Sequence, residues 1–276
     1  MTGGTVPVTL ERRWGLALAV ALFSAVSVAL AVATGLSSAA ALLWLLVTSV
    51  PLAYTFWLLW NSLALNHSPR STPSSSAAFG GGTRVYPTLG LANGITLGRG
   101  WLYAGVAGFL LVTPAVDSLW RWLPALWYGG GVALDWLDGV VARRTGRLTV
   151  LGERLDLAVD TMGFLVAPLV AVAWGALPVW YLAVSAARYC YRLGCWLHQR
   201  RGGTVGPLPE SRLRRPLAGL QMVVITLALL PVVPPTIAWP AATLAMLPSI
   251  AVFCRDYLAV TGRRGLPKDR DSLTQL

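Results

Sequence analysis

The sequence predicts an all-α polytopic membrane bundle, a six-helix body preceded by an N-terminal two-helix hairpin, with about eight transmembrane helices. Three observations carry that prediction. The chain is 55% hydrophobic and only 12% charged, whereas soluble domains carry about 25% charged residues. A window of about 19 residues finds eight apolar segments, near 14–34, 40–64, 92–112, 119–141, 157–173, 176–196, 217–234 and 237–259. Most are long enough to cross a hydrocarbon core of about 30 Å as helices. The basic residues, finally, fall almost entirely on one side of the topology those segments define.

The first two segments form the hairpin (1–65), which has no charged residue between Trp14 and Asn61 and offers packing, targeting or oligomer contacts. Residues 66–87 are rich in Ser, Pro and Gly without helical periodicity and read as a flexible cytoplasmic linker. The third segment opens the body (88–262) and carries a row of small residues, Gly100, Ala104 and Gly108, that permits close helix approach. The fourth leads from Gly129, Gly130 and Gly131 into Asp135. The fifth, 157–173, is the shortest and starts inside a run of acids; its short link to the fourth predicts antiparallel neighbours. The last three alternate with a basic connection, 197–215, and short uncharged loops, and residues 263–276 form a basic tail. Trp14, Trp101, Trp120, Trp122 and Trp239 lie near segment ends, as interfacial anchors do.

The net charge of +11 raises the question of a nucleic-acid partner, and its distribution answers no. With both termini cytoplasmic and eight alternating helices, 21 of the 22 basic residues lie on the cytoplasmic side and only Arg121 opposes them. That is the positive-inside pattern, with attraction to anionic headgroups besides. Cys190, Cys195 and Cys254, with His67 and His198, have neither disulfide nor metal spacing. Arg12 and Arg13 ahead of an apolar run, then the small residues Ser37 to Ala41, raise a cleaved signal peptide; the length of the run and the span that follows argue against cleavage.

The most informative run is Asp135 to Asp160, where Asp135, Asp138, Asp156 and Asp160 make up four of only eleven acidic residues. Acids flanked by membrane-length apolar segments are expensive and usually functional. Asp135 and Asp138 are i, i+3, and Asp156 and Asp160 are i, i+4, so each pair shares a helix face. Four unpaired anions brought together repel one another, and hard divalent cations with oxygen ligands resolve the conflict. A pair of Mg²⁺ or Mn²⁺ ions suits such a set and most often serves displacement at phosphorus. Gly139 and Gly152 leave room for a bulky group, and Arg143 suits a phosphate. The bland reading is a set of salt-bridged helix ends with Arg143, Arg144, Arg147 and Arg154 as partners.

Asp135-x-x-Asp138-Gly139-x-x-Ala142-Arg143, eight residues, then Gly152-x-x-x-Asp156-x-x-x-Asp160 resembles the complete signature of the CDP-alcohol phosphotransferase family of integral membrane phospholipid-synthesis enzymes. The similarity covers roughly 88–262, where Asn93-x-x-Thr96-x-x-Arg99 resembles the start of the family's first helix; the hairpin lies outside it. The resemblance implies transfer of a substituted phosphate from a CDP-linked donor to an alcohol, with release of CMP. It implies Asp135, Asp138, Asp156 and Asp160 as ligands of two Mg²⁺ or Mn²⁺ ions, with Asp160 also the catalytic base. It implies Thr96, Asp135, Gly139, Ala142, Arg143 and Gly152 as the CDP-donor site.

The size of the body is similar to that of bacterial-type phosphatidyltransferases. This favours CDP-diacylglycerol as donor, a small polar alcohol such as inositol phosphate or glycerol phosphate as acceptor, and a bacterial cell membrane as the location. Homodimerisation is left open. Arg188, Arg192 and Arg255, near cytoplasmic helix ends, are candidates for the acceptor's phosphate, or else merely obey the positive-inside rule. Two alternatives stand beside this reading: a CDP-linked small alcohol donating to a lipid acceptor, and a metal-ion or proton-coupled transporter.

Overall fold

The computed structural model describes residues 6–68, 85–145, 148–206 and 211–262, and within these the chain is helical, with no strand. Eight α-helices follow in order: α1 (Val8–Gly35), α2 (Ser38–Ser62), α3 (Leu91–Gly108), α4 (Leu123–Thr145), α5 (Val150–Ala173), α6 (Leu182–Arg200), α7 (Arg214–Leu229) and α8 (Pro235–Val260). Four helical stretches are long and apolar enough to cross a membrane: Val8–Gly35, Ser38–Leu65, Val150–Ala173 and Pro235–Val260. The other four carry polar residues or run short. The 16 residues of α7 span only about 24 Å at 1.5 Å per residue.

Helix α5 starts at Val150, seven residues before the apolar segment that marks it in the sequence. Thr149 fixes the start: its Oγ1 accepts a hydrogen bond from the Gly152 amide at 3.0 Å, capping the first turn. The extra residues, from Val150 to Asp156, include Glu153, Arg154 and Asp156, which a hydropathy window rejects although they are helical.

The helix order in space corrects one expectation. α4 and α5 are joined by a short link, yet they scarcely touch; α3 runs between them and packs on both. Its Tyr103, 1% exposed, explains how. A Cβ on Gly131 of α4 would sit 2.4 Å from the Tyr103 ring, and one on Gly163 of α5 would sit 2.7 Å from it. Two glycines thus open the groove that this aromatic wedge fills, and no larger residue leaves room for it.

On its other side α3 receives the hairpin. The small-residue row faces α2: a Cβ on Gly108 would come within 2.4 Å of Trp44, and one on Gly100 within 3.4 Å of Thr55. The Trp44 indole N–H donates to the Gly105 carbonyl at 3.1 Å. Trp14, Trp101 and Trp239 likewise donate to backbone carbonyls of neighbouring segments, at Phe56, Ala21 and Gly175. They tie helices together besides standing near segment ends.

The hairpin's end is tied to the body as well. Asn66, fully buried, donates to the carbonyls of Tyr86 and Thr88 at 3.0 Å each and accepts from the Tyr86 amide at 2.7 Å. The His67 carbonyl accepts from the Val150 amide at 3.1 Å, joining it to the start of α5. The middle of the linker, 69–84, and the basic tail lie outside the described residues.

Candidate metal centre and the adjoining cavity

One face of α3 carries Asn93, Thr96, Arg99 and Tyr103, spaced three, three and four residues apart and all buried. This polar stripe points into the groove between α4 and α5, where it meets all four aspartates of the signature. The Arg99 guanidinium, 0% exposed, lies 2.7 Å from Asp135, 2.9 Å from Asp138, 2.7 Å from Asp156 and 2.5 Å from Asp160. One terminal nitrogen serves Asp138 and Asp156, the other Asp135 and Asp160. Nε has no partner among the described residues. The four acids, with Tyr103 beside them, therefore dictate where the fork sits.

The four carboxylates differ in what else they do. Asp138, the most enclosed, also accepts from the Thr96 hydroxyl at 3.2 Å. Asp135, Asp156 and Asp160 each present an oxygen within 4.8 Å of the others, and their side chains are 36%, 45% and 30% exposed. An all-oxygen, partly open set of this kind fits a hard divalent cation, and among the described residues Arg99 is the one cation paired with it.

The expected donor-site residues distribute as follows. Thr96 is buried against Asp138 and bonds back to the Ala92 carbonyl at 3.1 Å. Gly139 is half-buried in α4, one residue past Asp138. Gly152 packs on α3: a Cβ there would fall 2.6 Å from Asn93 Oδ1 and 3.1 Å from Thr149 Oγ1. Asn93 in turn donates to Thr149 at 3.4 Å, so the start of α5 is locked to α3. Ala142 and Arg143 lie in the last turns of α4, and their side chains lie outside the described residues.

Past Asp160 opens a cavity of about 540 Å³ bounded by α5, α6, α7 and α8. Arg188, Arg192 and Arg214 line it together with Asp256 and apolar residues such as Phe164 and Phe253. Arg188 donates to the Thr161 hydroxyl at 2.6 Å, one residue from Asp160, which joins this cavity to the carboxylate cluster. Arg255 is not on the wall; it pairs with Asp256 at 2.8 Å, and Arg214 meets the same acid at 2.8 Å. The polar wall residues Ser185, Gln221 and Ser249 are occupied: Ser185 bonds the Phe164 carbonyl, and Gln221 bonds Tyr181, Ala245 and Ser249. Toward a ligand the wall presents guanidinium groups, the side chains of Tyr189 and Tyr191, and apolar surface.

Sequence reasoning missed Arg99, Thr149, Thr161, Arg214 and Asp256 as site residues. Two signals were there to find. A lone arginine inside the apolar segment 92–112 demands an acidic partner on another helix, and Thr149 immediately before the periodic run of α5 is an N-cap.

Over the described residues the bundle is all-helical, with helices apolar enough to cross a membrane and a carboxylate cluster able to hold a metal ion. The match to known sequences is narrower: residues 89–253 fit the CDP-alcohol phosphatidyltransferase family, and the chain belongs to it. It is accordingly a transferase of phosphate-containing groups that draws on a CDP-linked donor in phospholipid biosynthesis, in a family that uses divalent metal. The matched stretch covers α3 to most of α8 and leaves the hairpin outside. No curated protein and no solved structure matches the chain.

Proposed function

We propose that the protein transfers a phosphatidyl group from CDP-diacylglycerol to a small phosphorylated alcohol, such as inositol phosphate or glycerol phosphate, and releases CMP on the cytoplasmic side of a bacterial cell membrane. The observation that carries this reading is the cavity beside Asp160, whose wall brings together Arg188, Arg192 and Arg214. Arginine forks bind phosphate bidentately, while Ser185, Gln221 and Ser249 on the same wall already bond within the protein. An acceptor recognised through a phosphate fits better than one recognised through many hydroxyls.

Asp135, Asp138, Asp156 and Asp160 would hold two divalent ions, Mg²⁺ or Mn²⁺, which when bound neutralise the donor's pyrophosphate and stabilise departing CMP. Asp160, on the α5 face leading to Thr161 and the cavity, takes the proton of the acceptor hydroxyl. That oxygen attacks the donor's β-phosphorus in line, the bond to the CMP oxygen breaks, and no covalent enzyme intermediate forms. Arg188 and Arg192 hold the acceptor phosphate, Arg214 shares that task with its hold on Asp256, and Arg255 acts at one remove through Asp256. Thr96, Gly139, Ala142, Arg143 and Gly152 border the CDP moiety. The membrane lipid supplies the donor's acyl surroundings, and the positive-inside pattern supports cytoplasmic termini.

Product analysis tests the reading. Purified protein with CDP-diacylglycerol is given inositol phosphate, glycerol phosphate, and the same alcohols without phosphate; a separate arm offers CDP-linked alcohols with diacylglycerol. The expected result is a phosphorylated lipid product from a phosphorylated acceptor only. Turnover solely in the CDP-alcohol arm would establish the opposite direction of transfer, and a phosphatidyl-enzyme adduct would overturn direct attack.

A further inference from the structure

The feature that the transfer chemistry does not require is the fully buried Arg99. Four carboxylates crowd its two terminal nitrogens at 2.5 to 2.9 Å, coming from both helices that flank α3. A guanidinium with this many anions lies where bound divalent ions draw on the same oxygens, for Asp135, Asp156 and Asp160 each give Arg99 an oxygen and also form the set able to hold an ion.

We propose that Arg99 is a resident cation: it holds the four carboxylates together when no divalent ion is bound, and gives up part of them as ions enter. The proposal rests on the metal-site reading and adds a role for a residue of the first body helix. Its physical basis is charge density. Four acids gathered at the meeting of three helices repel one another, and partial burial weakens the screening that water gives them. One fixed guanidinium removes the worst of that cost, so the bundle assembles before any ion arrives. Among the described residues it is one positive charge against four carboxylates, and the excess attracts a divalent ion. Asp138 is the carboxylate best placed to stay with Arg99 in the loaded state, being the most enclosed and also held by Thr96. Tyr103, one turn on, is hydrogen-bonded to Arg99 and is itself held in the groove that Gly131 and Gly163 open.

Arg99 is therefore a positioning residue that competes with metal. Removing its charge while keeping its bulk weakens the ion-free protein and tightens metal binding. The test compares wild type with Arg99→Met and Arg99→Lys by thermal unfolding in chelator and in Mn²⁺, and by titrating Mn²⁺ with electron paramagnetic resonance. In chelator Arg99→Met should melt lower than wild type by on the order of 5 °C or more. Mn²⁺ should raise its Tm by more than it raises that of wild type, and its Mn²⁺ affinity should be at least about tenfold tighter. Arg99→Lys, which keeps a charge but not the fork, should fall between.

Weaker Mn²⁺ binding in Arg99→Met, or an equal metal-induced shift in both proteins, overturns the exchange and leaves Arg99 a plain organiser of the site. Failure of both variants to fold even in Mn²⁺ also overturns it. Absence of Mn²⁺ binding by wild type itself would instead sink the metal-site reading, which keeps the two failures apart.

Discussion

Two charged regions sit side by side at one end of the bundle with inverted stoichiometry. Among α3, α4 and α5, one guanidinium faces four carboxylates. Among α5 to α8, one carboxylate, Asp256, pairs with Arg214 and Arg255 while Arg188 and Arg192 stand on the same cavity rim. Among the described ion pairs each region keeps a single opposite charge, which spares the fold the cost of an unrelieved cluster, yet each retains an excess. The first excess is negative and suits cations; the second is positive and suits a phosphate. The lesson is that the minority charge in each region holds the majority in place, and the uncompensated remainder is what a ligand sees.

The comparison can be broken at either region. The largest effect is expected at the first: Asp160→Asn should lower turnover by about 10³-fold or more, with the protein still folded by thermal unfolding. Wild-type rates in that variant would remove Asp160 from the chemistry. Chelation should also stop turnover reversibly, while the bundle remains assembled because Arg99 still bridges the acids; loss of fold on chelation would show the arginine to be insufficient.

At the second region, Arg192→Ala or Arg188→Ala should raise the acceptor's KM about tenfold, the scale of one charge-assisted hydrogen bond, with the donor's KM little changed. A rise confined to the donor would move these arginines into the donor site. The smallest effect is architectural. Gly163→Ala forces a methyl to 2.7 Å from the Tyr103 ring and should cost about 1–3 kcal/mol of stability. Denaturant unfolding that shows no loss would mean that the wedge does not hold α3 between its neighbours.

The helical class, the hairpin, the acids and two of the cavity arginines, Arg188 and Arg192, were legible in the sequence because each leaves a local trace: apolar length, a stretch without charge, or i, i+3 and i, i+4 spacing; Arg214 was missed, and Arg255 lies off the wall. What was not legible depends on which helices meet. A short link between the fourth and fifth segments argued for direct packing, and only Gly131 and Gly163 facing one tyrosine explain why α3 lies between them. Hydropathy placed the start of α5 too late because it penalises Glu153, Arg154 and Asp156 without seeing the cap or the partner across the groove. Arg99 looked like one more cytoplasmic charge, since its four partners lie 36 to 61 residues away in sequence.

The central claim is that the acidic cluster is a divalent-cation site driving transfer from a CDP-linked donor to an acceptor held in the arginine cavity. Its most direct test follows CMP release from CDP-diacylglycerol by the purified full-length protein, with Mg²⁺ or Mn²⁺ titrated from zero in the presence and absence of a phosphorylated alcohol. CMP should appear only when both the ion and the acceptor are present. CMP release that persists in chelator, or none with any acceptor at any ion concentration, would contradict it.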